Sequence, residues 1–239
     1  MSGARDPRRQ ESVAAAIPVA TLGAEARSGF LVRTYLHLYA AIVAFTLIEA
    51  FLFVTGLARV IAIGMLGTSW LLVLGSFVIV SWLASHVAHR TTSLPAQYMA
   101  LGVYVVAEAI VFVPLLFIAE YYAPGAIGSA ALLTLVGFGL LTGMVFWTRQ
   151  DLSFLGGILR WAFAVVLILI VAATVFGFTL GSVFSVMMVG LAGAAILYDT
   201  SKVLHHYPED RYVAAALELF ASVALMFWYV LRLFLSARR

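Results

Sequence analysis

Four carboxylates stand inside stretches of sequence that are otherwise nearly free of charge: Glu49, Glu108, Asp199 and Glu218. An ionised side chain at the centre of a membrane-spanning helix costs about 2.5–3.5 kcal/mol on insertion scales, so a chain that keeps several has a use for them. No Lys or Arg is expected at comparable depth to neutralise them. Carboxylates in low dielectric without basic partners either share protons or bind a hard cation such as Ca²⁺, which takes oxygen ligands. The residues therefore suggest a proton-gated cation site with Asp199 as a candidate Ca²⁺ ligand, and no cofactor is expected. The alternative for Glu49 and Glu108 is that each is protonated and hydrogen-bonded to nearby backbone or hydroxyls.

Asp199 lies in "ILYDTSK", beside hydroxyls and at the end of an apolar run, and the next run begins soon afterwards with "AALELFASVALMFWYVLRLF". Glu218 and Ser222 are one helical turn apart and share a face. Since both runs meet the same membrane edge, Asp199 can face Glu218 or Ser222 across a short gap, which makes these three the gate candidates. The alternative is that Asp199 is a membrane-edge charge that ends its helix. His205 and His206 in the adjoining segment titrate near neutral pH and are candidates for reporting protonation to that gate. His37, His86 and His89 lie near run ends without metal-ligand spacing.

These residues need long apolar elements to hold them. Of 239 residues, 64% are apolar and 10% charged, far from the balance of a soluble domain. Spanning a bilayer takes about 20 predominantly apolar residues as a helix, and seven such runs follow one another: Tyr35–Thr55, Leu66–Ser85, Tyr98–Ala119, Ile127–Trp147, Leu159–Phe178, Leu180–Tyr198 and Val213–Leu235. Each is continuously apolar where a barrel strand would alternate, so the expected fold class is an all-α membrane protein, a bundle of seven transmembrane helices. The lipid bilayer is its first partner.

Ten Lys and Arg fall on the N-terminal side of the membrane: Arg5, Arg8, Arg9, Arg27, Arg33, Arg90, Arg149, Arg160, Lys202 and Arg211. Arg59, Arg232, Arg238 and Arg239 fall on the other. The positive-inside bias makes the N-terminus cytoplasmic and the C-terminus external, unless the last run is re-entrant. Residues 1–30 read as a flexible cytoplasmic tail, since Pro18 and flanking acids spoil the resemblance to a signal peptide, and residues 31–239 form the transmembrane domain.

Several function classes drop out. The chain has no cysteine, which removes disulfide frameworks and thiolate chemistry. Its net charge of +3 is scattered over run ends rather than drawn into a phosphate-tracking stripe, which argues against nucleic acid as a partner. Neither a Ser/His pair nor a His/Asp metal motif lies within the spans, so an enzyme is not expected. Lys202 is the only lysine and reads as a loop residue, which leaves no Schiff-base position for a retinal protein. No internal repeat marks an inverted-repeat transporter, and Gly177 and Gly181, like the glycines near Gly137 and Gly190, read as helix-packing positions.

From Phe30 onward the chain resembles the Bax inhibitor-one superfamily, the transmembrane Bax inhibitor motif (TMBIM) proteins, in its bacterial branch of multi-pass inner-membrane proteins. The resemblance is carried, in order, by "FLVRTYLHLYAAIVAF", "AALLTLVGFGLLTGMVFWTRQDLSFLGGIL", "ILYDTSKVLHHY" and "AALELFASVALMFWYVLRLF". It implies seven helices with the last one central, and a pH-dependent calcium leak governed by two aspartates on helices six and seven. Asp199 matches the first aspartate. The second falls at Ser222, and the asparagine usual three residues later is Leu225. Glu218 is the candidate substitute for the missing partner. Other relatives of this branch imply a different role, a regulator that modulates a membrane-bound protease or a stress response through helix contacts.

Overall fold

The computed structural model describes residues 17–237. Eight α-helices follow one another: α1 Ala24–Val54, α2 Leu57–Leu66, α3 Trp70–Arg90, α4 Leu94–Tyr122, α5 Ala126–Thr148, α6 Leu155–Phe176, α7 Gly181–His205 and α8 Tyr212–Ala237. All but α2 are long and apolar enough to cross a membrane. Strand pairing among the described residues is confined to one isolated bridge, Pro18 to Pro208. The seven-helix, all-α membrane bundle is as expected.

The helix limits depart from the hydropathy runs where charge begins. α1 starts eleven residues before Tyr35, taking in Glu25, Arg27 and Arg33, and so reaches into the segment expected to be tail. Val19, before it, is fully buried and its N–H donates to the Tyr207 carbonyl at 2.8 Å. Residues 1–16 of that expected tail lie outside the described residues. α7 runs seven residues past Tyr198, because a helix end projecting from a bilayer keeps its backbone hydrogen bonds while its side chains turn polar. The second run, expected from Leu66, begins as α3 at Trp70, and between it and the first run lies α2, whose ten residues are too short to span. Gly56, at φ +77°, makes the turn that starts α2.

α8 is the centre of the bundle. It packs against α1, α3, α4, α5 and α7. Consecutive Ala214, Ala215 and Ala216 are fully buried, as small side chains must be where several helices approach one axis. Its 26 unbroken residues extend about 39 Å, enough to span, and leave no break for a re-entrant turn. α6 is the peripheral helix, held against α7 with a lesser contact to α3. Because α6 stands off from the rest, a cavity of about 1820 Å³ opens along α8, walled by α3, α4, α6 and α7.

Candidate functional site

The central helix brings Glu218 and Ser222 to one face at a spacing of one turn, and α7 meets that face with Asp199 and Lys202, which share a face at a spacing of three. Asp199 and Ser222 are both buried, and the Ser222 hydroxyl donates to Asp199 Oδ2 at 2.6 Å. Ser222 stands where the family resemblance expects an aspartate, and its hydroxyl satisfies the lone carboxylate as a donor.

Glu218 is held by three donors. Lys202 Nζ reaches Oε2 at 2.6 Å, the Tyr207 hydroxyl donates to the same oxygen at 2.6 Å, and His89 Nε2 lies 2.9 Å from Oε1. His89 Nδ1 is 2.8 Å from the Ser85 carbonyl, so both ring nitrogens face acceptors, an arrangement a doubly protonated imidazole satisfies. The Lys202 ammonium sits over two rings, 5.3 Å from the centre of Tyr198 and 5.2 Å from that of Tyr207. His89 and Lys202 occupy the last turns of α3 and α7, where the helix dipole favours cations. Burial, followed by the charge of Glu218, holds the Tyr207 hydroxyl well above the usual range for a phenol, so it remains a donor.

Two expectations are corrected here. A lysine does lie at the depth of the carboxylates: Lys202 belongs to α7 rather than a loop, and it pairs with Glu218. The histidine at the cluster is His89, at the far end of α3 in sequence. His205 instead bonds the Ser201 carbonyl at 3.0 Å, and His206 pairs with Asp151 at 3.0 Å across two loops. Of the two partners expected for Asp199, the hydrogen bond is with Ser222, while Glu218 is held by Lys202, Tyr207 and His89. Of the residues missed, Lys202 had a signal in its spacing of three from Asp199. His89 and Tyr207 had none, since only packing brings α3 and the α7–α8 connection to Glu218.

Glu108, midway along α4, accepts from the Tyr104 hydroxyl at 3.0 Å, and both are buried. Glu49 is buried near the end of α1 with neither carboxylate oxygen hydrogen-bonded. Glu108, Asp199, Glu218 and Ser222 all line the large cavity, and Glu49 does not. Among the described residues no three His, Asp or Glu side chains cluster as metal ligands. Asp199 with Ser222 is therefore short of the six to eight oxygens of a resident Ca²⁺ site.

Seven long apolar helices around a buried central one, with charged groups gathered at one end, define a multi-pass membrane protein with an intramembrane polar site. The family model described as "Inhibitor of apoptosis-promoting Bax1" matches residues 27–239, and the chain belongs to that family, the Bax inhibitor-one proteins. It is 32% identical over 152 residues to Protein LIFEGUARD 4 of Arabidopsis thaliana, covering 60% of this chain and 59% of the plant protein. It is 34% identical over 103 residues to Modulator of FtsH protease YccA of Escherichia coli, covering 43% and 45%. The matched region thus spans about three fifths of the plant relative and under half of the bacterial one.

Proposed function

We propose that this chain is a multi-pass inner-membrane protein, with its N-terminus cytoplasmic, that passes Ca²⁺ or protons in a pH-dependent leak gated at Asp199, Ser222 and Glu218. The observation that carries this reading is the position of Asp199. On one side it borders a cavity of about 1820 Å³ that runs along α8 toward the opposite membrane face. On the other side Lys202, His89 and Tyr207, which do not line the cavity, hold Glu218 at its wall and tie α3, α7 and α8 together at the N-terminal face. An open vestibule ending at a carboxylate, with a polar plug beyond it, is the layout of a closed gate. The cation is cargo, held briefly by one carboxylate and a hydroxyl rather than caged. The excess of Lys and Arg on the N-terminal side supports the orientation.

The test is Ca²⁺ flux into proteoliposomes at a series of pH values, comparing the wild type with Asp199→Asn. The expected result is a pH-dependent flux whose profile flattens in the variant. Absent flux in the wild type, or an unchanged profile in the variant, rejects the reading.

Similarity to a modulator of FtsH protease favours a second reading, in which the chain regulates a membrane-bound protease through helix contacts. Co-purification of such a protease from gently solubilised membranes, together with silent liposomes, decides for it.

A further inference from the structure

The large cavity has two chemically different ends. The carboxylates that line it, Asp199, Glu218 and Glu108, lie toward the N-terminal membrane face and in its middle, where Arg160 also lines the wall with its Nε donating to the Gly156 carbonyl. At the other end it is lined by Arg232, about 21 Å along α8 from Glu218, with Tyr229 and Ser236 on the same helix. The Arg232 guanidinium lies 5.7 Å from the centre of the Tyr229 ring and also hydrogen-bonds the Tyr229 hydroxyl, which uses one of its five N–H donors and leaves the others for an anion. The same end of the cavity is lined by the start of α7, with Thr179, Gly181 and Ser182. That helix start has no side-chain cap and no acidic residue in its first turn, so its free N–H groups add a partial positive charge to that of the arginine. Between the two ends the walls are apolar and aromatic, and they include Trp70 and Trp228, stacked with centres 6.1 Å apart. An elongated apolar cavity with a cation and unpaired donors at one mouth, at membrane depth, is complementary to an acyl chain bearing an anionic head.

We propose that this cavity binds an anionic phospholipid of the surrounding bilayer, with its acyl chain along α8 and its phosphate at Arg232 and the start of α7. The inference stands on the cavity and its charges, and it holds whether or not the chain passes cations.

The tryptophans in the wall supply the assay. Trp82, Trp147 and Trp161 are exposed on the outer surface and are replaced by Phe, which leaves Trp70 and Trp228 as reporters. The full chain is placed in phosphatidylcholine nanodiscs doped with phosphatidylglycerol or phosphatidylcholine brominated on the acyl chains, both quenchers of indole fluorescence. Half-maximal quenching is expected at about fivefold lower mole fraction for brominated phosphatidylglycerol, and Arg232→Gln is expected to abolish the preference. Unchanged quenching of Arg232→Gln by brominated phosphatidylcholine shows that the variant is folded and inserted. Arg232→Lys, which keeps the charge but loses the planar fork, is expected to retain part of the preference. Equal quenching by the two lipids in the wild type, or a preference that persists in Arg232→Gln, overturns the proposal. Loss of the preference on adding millimolar inorganic phosphate also overturns it, since the site would then hold a free anion rather than a lipid.

Discussion

Removing Lys202 tests whether the cluster around Glu218 ties the bundle together. Glu218 accepts from Lys202 and Tyr207, each at 2.6 Å, and meets His89 at 2.9 Å. Lys202→Met keeps the apolar stem over Tyr198 and Tyr207 and removes only the ammonium. A hydrogen bond to a charged group is worth about 1.5–3 kcal/mol, and stripping one partner from a fully buried ion pair costs about 3–5 kcal/mol. Both side chains are 23% exposed and two donors to Glu218 remain, so about 2 kcal/mol is expected. Glu218→Gln leaves Lys202 and His89 facing a neutral group, and about 2–3 kcal/mol is expected for it. The double variant should cost about 1–2 kcal/mol less than the sum of the two singles, because the second change removes a group already unpaired. The assay is reversible SDS unfolding of the purified protein in mild detergent, followed by tryptophan fluorescence. Additivity within about 0.5 kcal/mol would show that the two side chains do not act as a pair and would refute the reasoning.

Three further outcomes follow from the geometry. Ser222→Asp places a second carboxylate at the 2.6 Å contact with Asp199, where two charges cannot coexist and one proton must be shared. The folded state then binds a proton that the unfolded state releases above about pH 4, so stability should fall by about 1–3 kcal/mol between pH 5 and pH 8, and the same unfolding assay with no greater pH dependence than wild type would contradict it. Gly156→Ala builds a methyl group 2.7 Å from the Tyr198 hydroxyl, so the end of that ring must shift from its place beside Lys202, and since Ala gains about 0.5–1 kcal/mol over Gly in a helix the expected net loss is no more than about 1 kcal/mol, read as a lower midpoint of SDS unfolding. The hydrogen bond from His206 holds the Asp151 carboxyl below the usual range, so its contribution is complete above the unfolded value of about 3.9 and is lost as pH falls through the folded one. That pair is exposed, so Asp151→Asn should change stability near pH 7 by no more than about 0.5 kcal/mol in the unfolding assay.

The sequence by itself determined the seven spans, because a bilayer demands about 20 apolar residues per crossing and that demand is local. It also identified Asp199, Glu218 and Ser222 as neighbours at one membrane edge, since helical spacing and a short connection are enough to place them. Helix ends were less legible. Hydropathy falls where α1 and α7 leave the bilayer, yet their backbones continue to hydrogen-bond, so Lys202 read as a loop residue although it lies on the Asp199 face of α7. The tertiary structure alone decided how the charges pair. His89 comes from α3 and Tyr207 from the connection before α8, more than a hundred residues apart, and both reach Glu218 because α8 is central and α3 packs against it. The cavity was equally invisible in the sequence. It exists because α6 packs on α7 and stands off from the rest, a consequence of how whole helix surfaces fit together, which no run of residues records on its own.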